Sequence, residues 1–145
     1  MRLIECIRDF ISDCPLLQAD KVLGIDMLEE GYSIDVLPVD PIYEKYVDGT
    51  EKRIFEFIFA TSESYSETTL QQLENSGFQE KFQNWIEKAN YTRNLPVLGD
   101  GRIALKLEIV SSGYVADAES ATARYEMHIR MYYLQMYYYY NLTED

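Results

Sequence analysis

The stretch Ile54-Phe-Glu-Phe-Ile-Phe59 decides how the rest of the chain is read. In a strand, successive side chains point to opposite faces. Phe55, Phe57 and Phe59 therefore share one face, and Ile54, Glu56 and Ile58 share the other. Apolar groups on both faces predict a central strand of a sheet. Just upstream, Asp48-Gly49 is a tight-turn signal. Before it, Tyr32, Ile34 and Val36 alternate with Ser33 and Asp35, and Gly31 marks a turn ahead of them. Residues from Lys21 to Val39 are expected to be extended, with Pro38 and Pro41 ending that stretch.

Helical spacing appears on both sides of these strands. Leu3, Ile4, Ile7, Phe10, Ile11 and Cys14 repeat at steps of three and four, one stripe of an amphipathic helix. Pro15 ends it, because the residue before a proline is pushed out of the helical region. Downstream, Ser62 to Ser66 is polar and turn-like, and Ser66 and Thr69 are candidate helix caps. Leu70, Leu73, Phe78, Phe82, Trp85, Ile86 and Ala89 continue a second stripe, which Asn75-Ser76-Gly77 interrupts. A kinked helix, or two short helices in series, is expected there. Asn94 to Gly101 reads as a loop with Pro96 and a Gly99-Asp100-Gly101 turn.

Two more strands close the chain. Ile103, Leu105, Leu107 and Ile109 alternate with Arg102, Ala104, Lys106 and Glu108, and Tyr125, Met127, Ile129 and Met131 alternate with Arg124, Glu126, His128 and Arg130. The segment from Ser111 to Ala121 is read as their connection, too short for a helical crossover, so an antiparallel hairpin is expected. The order of helix, strands, helix, strands predicts an α+β domain. Its sheet is antiparallel, with a mixed sheet left open, and has about four to five strands; an N-terminal helix and a central kinked helix pack on one face. The 145 residues suit one domain, spanning 1–145.

Composition excludes several functions. Hydrophobic residues make up 47% and charged residues 26%, which argues against wholesale disorder. Thirteen Lys and Arg stand against twenty-five Asp and Glu, a formal charge of −12. That is the wrong sign for gripping phosphates or anionic membranes. No apolar run reaches the roughly 18 residues of a membrane span, and acidic residues break up the N-terminus where a signal peptide needs an apolar core. A soluble, cytoplasmic protein is expected. If Cys6 and Cys14 share the first helix, about 12 Å of rise separates them, beyond the roughly 7 Å limit between Cα atoms for a disulfide. Both are read as reduced, core-facing side chains, with reactive thiols as the alternative.

Catalytic and metal motifs are missing from the pattern. His128 is the only histidine and is expected on the polar face of the last strand. Nucleophilic catalysis would require a nucleophile and an orienting carboxylate converging on it, and sequence spacing supplies neither. Metal-ligand spacing and phosphate-cradle glycines are likewise absent. A non-enzyme without cofactors is expected. Near the C-terminus, Tyr132, Tyr133 and Tyr137, Tyr138, Tyr139 and Tyr140 put six tyrosines into nine residues. Tyrosine joins a large apolar face to a polar tip, so this segment either covers the domain's own core or forms a subunit or partner contact. Stacking on single-stranded bases would need a basic groove, and only Arg124 and Arg130 lie near.

Several phrases together resemble a family of minor capsid proteins from tailed phages and prophages of Gram-positive bacteria. They are Asp40-Pro-Ile-Tyr-Glu-Lys-Tyr-Val-Asp-Gly49, Phe55-Glu-Phe-Ile-Phe59, Glu74-Asn-Ser-Gly-Phe-Gln-Glu-Lys-Phe82 leading to Trp85-Ile86, Asn94-Leu-Pro-Val-Leu98, and Gly113-Tyr to Thr122-Ala-Arg-Tyr125. They extend in order over most of the chain, and the Tyr-rich end lies outside them. The resemblance implies a non-catalytic structural protein near the head–tail junction, similar to tail terminators. Such proteins form a ring, typically a hexamer, that caps the tail tube and joins it to the head connector. Expected partners are copies of the chain itself, a tail-tube protein and a head-connector protein. DNA would pass through without specific binding, and the protein would occupy host cytoplasm during assembly and then the virion. Candidate contact residues are Asp48 and Gly49, Tyr137 to Tyr140, and the segment from Ser111 to Ala121. A different class of function is an acidic binding module that occupies a basic, nucleic-acid-binding partner. The first fifty residues hold eleven acidic and four basic residues, which motivates that alternative.

Overall fold

A computed structural model describes residues 2–17, 23–25, 31–64, 77–117 and 122–137. The elements run α1 (Leu3–Ser12), β1 (Leu23–Ile25), β2 (Gly31–Leu37), β3 (Ile42–Lys45), β4 (Glu51–Ser64), α2 (Phe78–Thr92), β5 (Arg102–Asp117) and β6 (Thr122–Gln135). The strands form one six-stranded sheet in the order β1-β2-β4-β6-β5, with β3 also pairing β4. The α+β class and the helical layer on one face are as expected. The sheet is mixed, because β1 runs parallel to β2 while every other pairing is antiparallel. The short strands β1 and β3 raise the count above the four or five expected.

The Phe55–Phe59 strand is central, as its two apolar faces predict. One edge of β4 pairs β6 in unbroken register from Glu51↔Gln135 to Ser64↔Thr122. Its other edge takes β3 beside residues 51–53 and β2 beside residues 56–62, so β2 and β3 lie end to end. The stretch from Lys21 to Val39 is only partly extended among the described residues, as β1 and β2. Pro38 and Pro41 do end β2, yet the chain re-enters the sheet at once as β3, a strand the sequence pattern does not signal.

Core packing begins with α1, which ends at Ser12, so that Cys14, expected as the last residue of its stripe, lies just beyond the helix. Ile4, Cys6, Ile7, Ile11 and Cys14 are buried against Ile34, Phe57 and Phe59 of the sheet and Phe82 and Ile86 of α2. Both cysteines are free and buried, and burial pushes the Cys14 thiol up from its ordinary value. Aromatic rings tie the layers together. Phe59 stacks on Tyr32 at 5.9 Å and on Phe82 at 4.9 Å. Trp85 then lies 5.7 Å from Phe82 and 4.9 Å from Phe10. Gly77, with a left-handed φ of 68°, starts α2 at the Asn75-Ser76-Gly77 break. The expected first half of that helix, its kink and the Ser66 and Thr69 caps lie outside the described residues.

Two expectations for the last hairpin are corrected. Ile103 was expected beside Leu105, Leu107 and Ile109 on the buried face, but it is 49% exposed while Ala104 is 8% exposed. Register shifts between Ala104 and Lys106 and between Ile109 and Ser111 each insert an extra residue into β5. Such a bulge moves the following side chains to the other face. Ala104, Leu107, Ile109 and Ser112 therefore oppose Tyr133, Met131, Ile129 and Met127 at uneven spacing. The Ser111–Ala121 connection is also mostly strand: β5 continues to Asp117 and β6 begins at Thr122. On β6 the expected alternation holds, and Tyr125, Met127, Ile129 and Met131 are all buried.

Phe82 touches both the sheet and the rest of the helical layer and is fully buried. Replacing it with alanine should cost about 3–5 kcal/mol. Urea unfolding measures this, and a loss below about 1 kcal/mol, typical of surface changes, would contradict the ring packing described.

Candidate protein-contact surface

The turn between β3 and β4 is built by local hydrogen bonds. Gly49 N–H donates to Tyr46 O at 3.0 Å, Tyr46 N–H donates to Thr50 O at 2.9 Å, and Thr50 N–H donates to Asp48 Oδ1 at 2.9 Å. Asp48 thus caps its own turn, and Gly49 supplies the left-handed conformation at φ 89°. The candidate pair therefore shapes the turn, and the group it projects is its neighbour Val47, which is fully exposed.

The end of β6 comes to the same place. Tyr137 N–H donates to Thr50 Oγ1 at 3.4 Å. The Tyr137 ring lies over Gly49 so closely that a Cβ there would stand 2.7 Å from its Cγ. Two candidate regions far apart in sequence, Asp48-Gly49 and Tyr137, are thereby joined. Tyr138, Tyr139 and Tyr140 lie outside the described residues. A second turn secures the other side of this end: Met136 N–H donates to Gly101 O at 2.8 Å, and Gln135 Nε2 donates to Asp100 O at 3.2 Å. Asp100 and Gly101 both have positive φ, 53° and 73°, as a type I′ turn requires.

Around Val47, large side chains remain open to solvent. Tyr43, Tyr46 and Ile42 on the β3–β4 hairpin are exposed, and Tyr137 is 46% exposed. Tyr43 also packs edge-on against Tyr132 at 5.9 Å, with Lys52 Nζ 5.2 Å and 5.4 Å from the two ring centres. Tyr133, by contrast, is buried in the core. Of the tyrosine-rich end, Tyr133 thus covers the domain's own core, while Tyr137 stays partly open to solvent. Val47, Tyr46 and Tyr43 were not among the residues expected at a contact; their signal in the sequence is an apolar residue at the tip of a turn that would ordinarily be polar.

His128 lies on the polar face of β6, as expected, but is half-buried, and its partner is a carboxylate that spacing along the chain did not reveal. Glu56 Oε2 lies 2.8 Å from His128 Nε2, and Arg130 Nε donates to Glu56 Oε1 at 2.6 Å. Register accounts for the meeting, because Glu56 is directly opposite Arg130, and Arg130 is opposite Glu108. Arg130 Nη1 reaches Glu108 Oε1 at 3.5 Å and the Tyr132 hydroxyl at 3.3 Å. Both Glu56 oxygens are engaged, so the group acts as a cross-strand clamp. Among the described residues, no group of three or more His, Cys, Asp or Glu could hold a metal, and no helix is long and apolar enough to cross a membrane.

No protein-family model matches this chain, and no curated protein matches its sequence.

Burial works to raise the Glu56 carboxyl, but its bonds to Arg130 and His128 outweigh burial and lower its pKa below the ordinary value. A carboxyl depressed in the folded state adds stability that is fully present above its unfolded pKa, about 4.3, and lost as pH falls through the folded value. Urea unfolding at pH 7 and pH 3 should show wild type losing more stability on acidification than Glu56→Gln. Equal losses would mean the clamp does not hold its charge in solution.

Proposed function

We propose that this chain is a non-catalytic structural protein that joins copies of itself into a ring, a tail-terminator-like component of the phage head–tail junction. The single observation that carries the self-association is the exposed cluster Val47, Tyr43, Tyr46 and Tyr137 at one end of the sheet. Exposed apolar groups gathered in one place mark interaction surfaces, and tyrosine suits contacts that are half wet and half dry. The junction itself is proposed on the ordered phrases that resemble minor capsid proteins. The charge of −12 supports the reading, since a negative lumen lets DNA pass without adhering. In this reading, tail-tube and head-connector proteins meet the two faces of the ring.

Native mass over a wide concentration range tests the reading. A closed ring of about six 17.0 kDa copies is expected. Val47→Asp, or serine in place of Tyr137 to Tyr140, should shift the mass toward a folded monomer. An unchanged ring in both variants would move the interface elsewhere, and a wild-type monomer at every concentration would overturn untemplated assembly.

A specific feature favours a second reading, the acidic module on a basic partner. A cleft of about 470 Å³ between α1 and the loop at 94–100 is lined by Asp9, Asp13 and Asp100 around Phe10 and Leu95; Asp9 pairs with Arg8 at 3.6 Å and Asp100 with Arg102 at 3.4 Å, arginines that are not among its described lining residues. Binding to a lysine-rich protein that collapses between 50 mM and 500 mM salt, and is weakened by Asp13→Asn, would support it. Salt-independent binding, or none, would dismiss it.

A further inference from the structure

The sheet ends at β5, which among the described residues pairs only with β6. A strand of 16 residues at a sheet edge presents unpaired backbone groups on which another strand can add. At the middle of this edge the position is taken by a side chain. Asn90 Nδ2 donates to Leu107 O at 2.7 Å, and Leu107 N–H donates to Asn90 Oδ1 at 2.9 Å. In an antiparallel ladder both backbone groups of one residue point the same way, so those of Leu107 point away from β6. A carboxamide carries the same donor and acceptor as a peptide unit. Asn90 therefore makes the pair of bonds that a residue of an added strand would make.

We infer that the outer edge of β5 around Leu107 is a self-pairing site, fitted to the same strand of a second copy and held shut by Asn90. The flanking charges identify the occupant. In an antiparallel pair centred on Leu107, Lys106 of one copy stands opposite Glu108 of the other, and the relation repeats across the two-fold axis. Within one copy Lys106 Nζ lies 3.5 Å from Glu108 Oε2, and both side chains are accessible, at 58% and 38%, so the pair exchanges partners across the axis when two copies meet. Opposite charges placed directly across a strand pair are favourable, and a two-fold contact uses one surface twice. The bulges at Leu105 and Val110 bound the pairing to a short segment. A second tie from α2, Gln79 Nε2 donating to Ser112 Oγ at 2.5 Å, holds the helix along this edge. In the wild type Asn90 wins because it is intramolecular and already positioned by α2.

Asn90→Ala opens the site. By native mass, the variant should form a species of twice the wild-type mass, whatever the wild-type assembly is. Adding Lys106→Glu sets glutamate against Glu108 at both crossings and should return the mass to the wild-type value. Unchanged mass in Asn90→Ala, or doubling that Lys106→Glu leaves intact, overturns the inference. Should Asn90→Ala fail to fold, amide exchange on the wild type decides the lock. The Leu107 amide should exchange at least tenfold more slowly than that of an exposed loop residue such as Val97, and a rate as fast as Val97 overturns it. Asn90→Leu then replaces the alanine variant: it keeps the side-chain bulk on α2 but makes neither bond to Leu107, and it should reproduce the doubling.

Discussion

The contact on which the rest of the structure depends is the stack of Phe59 against Phe82. Through it β4 meets α2, through Tyr32 it meets β2, and through Trp85 and Phe10 it reaches α1. Each ring is large, and tilted or offset contacts between rings add to the area they bury. Position 59 must therefore face the helices. Because β4 pairs with β6 over its whole length, that fixes which face every residue of β6 presents. Met127, Ile129 and Met131 turn inward for this reason. His128 and Arg130 then have to lie on the opposite face, where Glu56 lies.

The same two strands thus carry both the core and the ion clamp, with the two written on alternate residues. A one-residue slip between β4 and β6 would exchange the faces of Glu56 and its neighbours Phe55 and Phe57, turning the carboxylate into the core, and burying an unpaired carboxylate is costly. The clamp therefore specifies register as well as joining strands. Strand β5 lies farther from the stack and tolerates two bulges, each absorbing one residue while Leu107 and Ile109 still face inward.

Features that follow a local period were legible in the sequence. The α1 stripe, the Phe55–Phe59 strand, the alternation of β6 and the Gly-Asp-Gly turn all depend on residues within a few positions of one another. What escaped depends on pairing partners. Ile103 and Ala104 exchange faces because a bulge two residues later breaks the period, and no composition signal marks that bulge. Glu56 and His128 are 72 positions apart and meet only through register. Asn90 looks like an ordinary helical residue until its distance to Leu107 is known. At the candidate surface, Asp48-Gly49 was recognised as a turn, but turn chemistry says nothing of what the turn projects. Val47 gains its meaning from Tyr137, which arrives from the other end of the chain.

Edges and ends of the sheet have different consequences for assembly. An added strand extends a sheet through backbone bonds that almost any sequence can make, so an open edge selects poorly among partners. A cluster of side chains at the end of a hairpin selects by shape. In the proposed ring, the exposed Val47 tip would need a concave, apolar receiving surface on the next copy, since a closed ring brings two different patches together. Copies that each carry −12 repel one another, so a ring contact through the Val47 cluster would draw on apolar burial, and added salt, by screening that repulsion, would favour it. A complex between the Asp9, Asp13 and Asp100 cleft and a cationic partner responds to salt in the opposite sense. The two readings of this acidic chain thus differ in the sign of their salt dependence, because one brings like charges together and the other unlike.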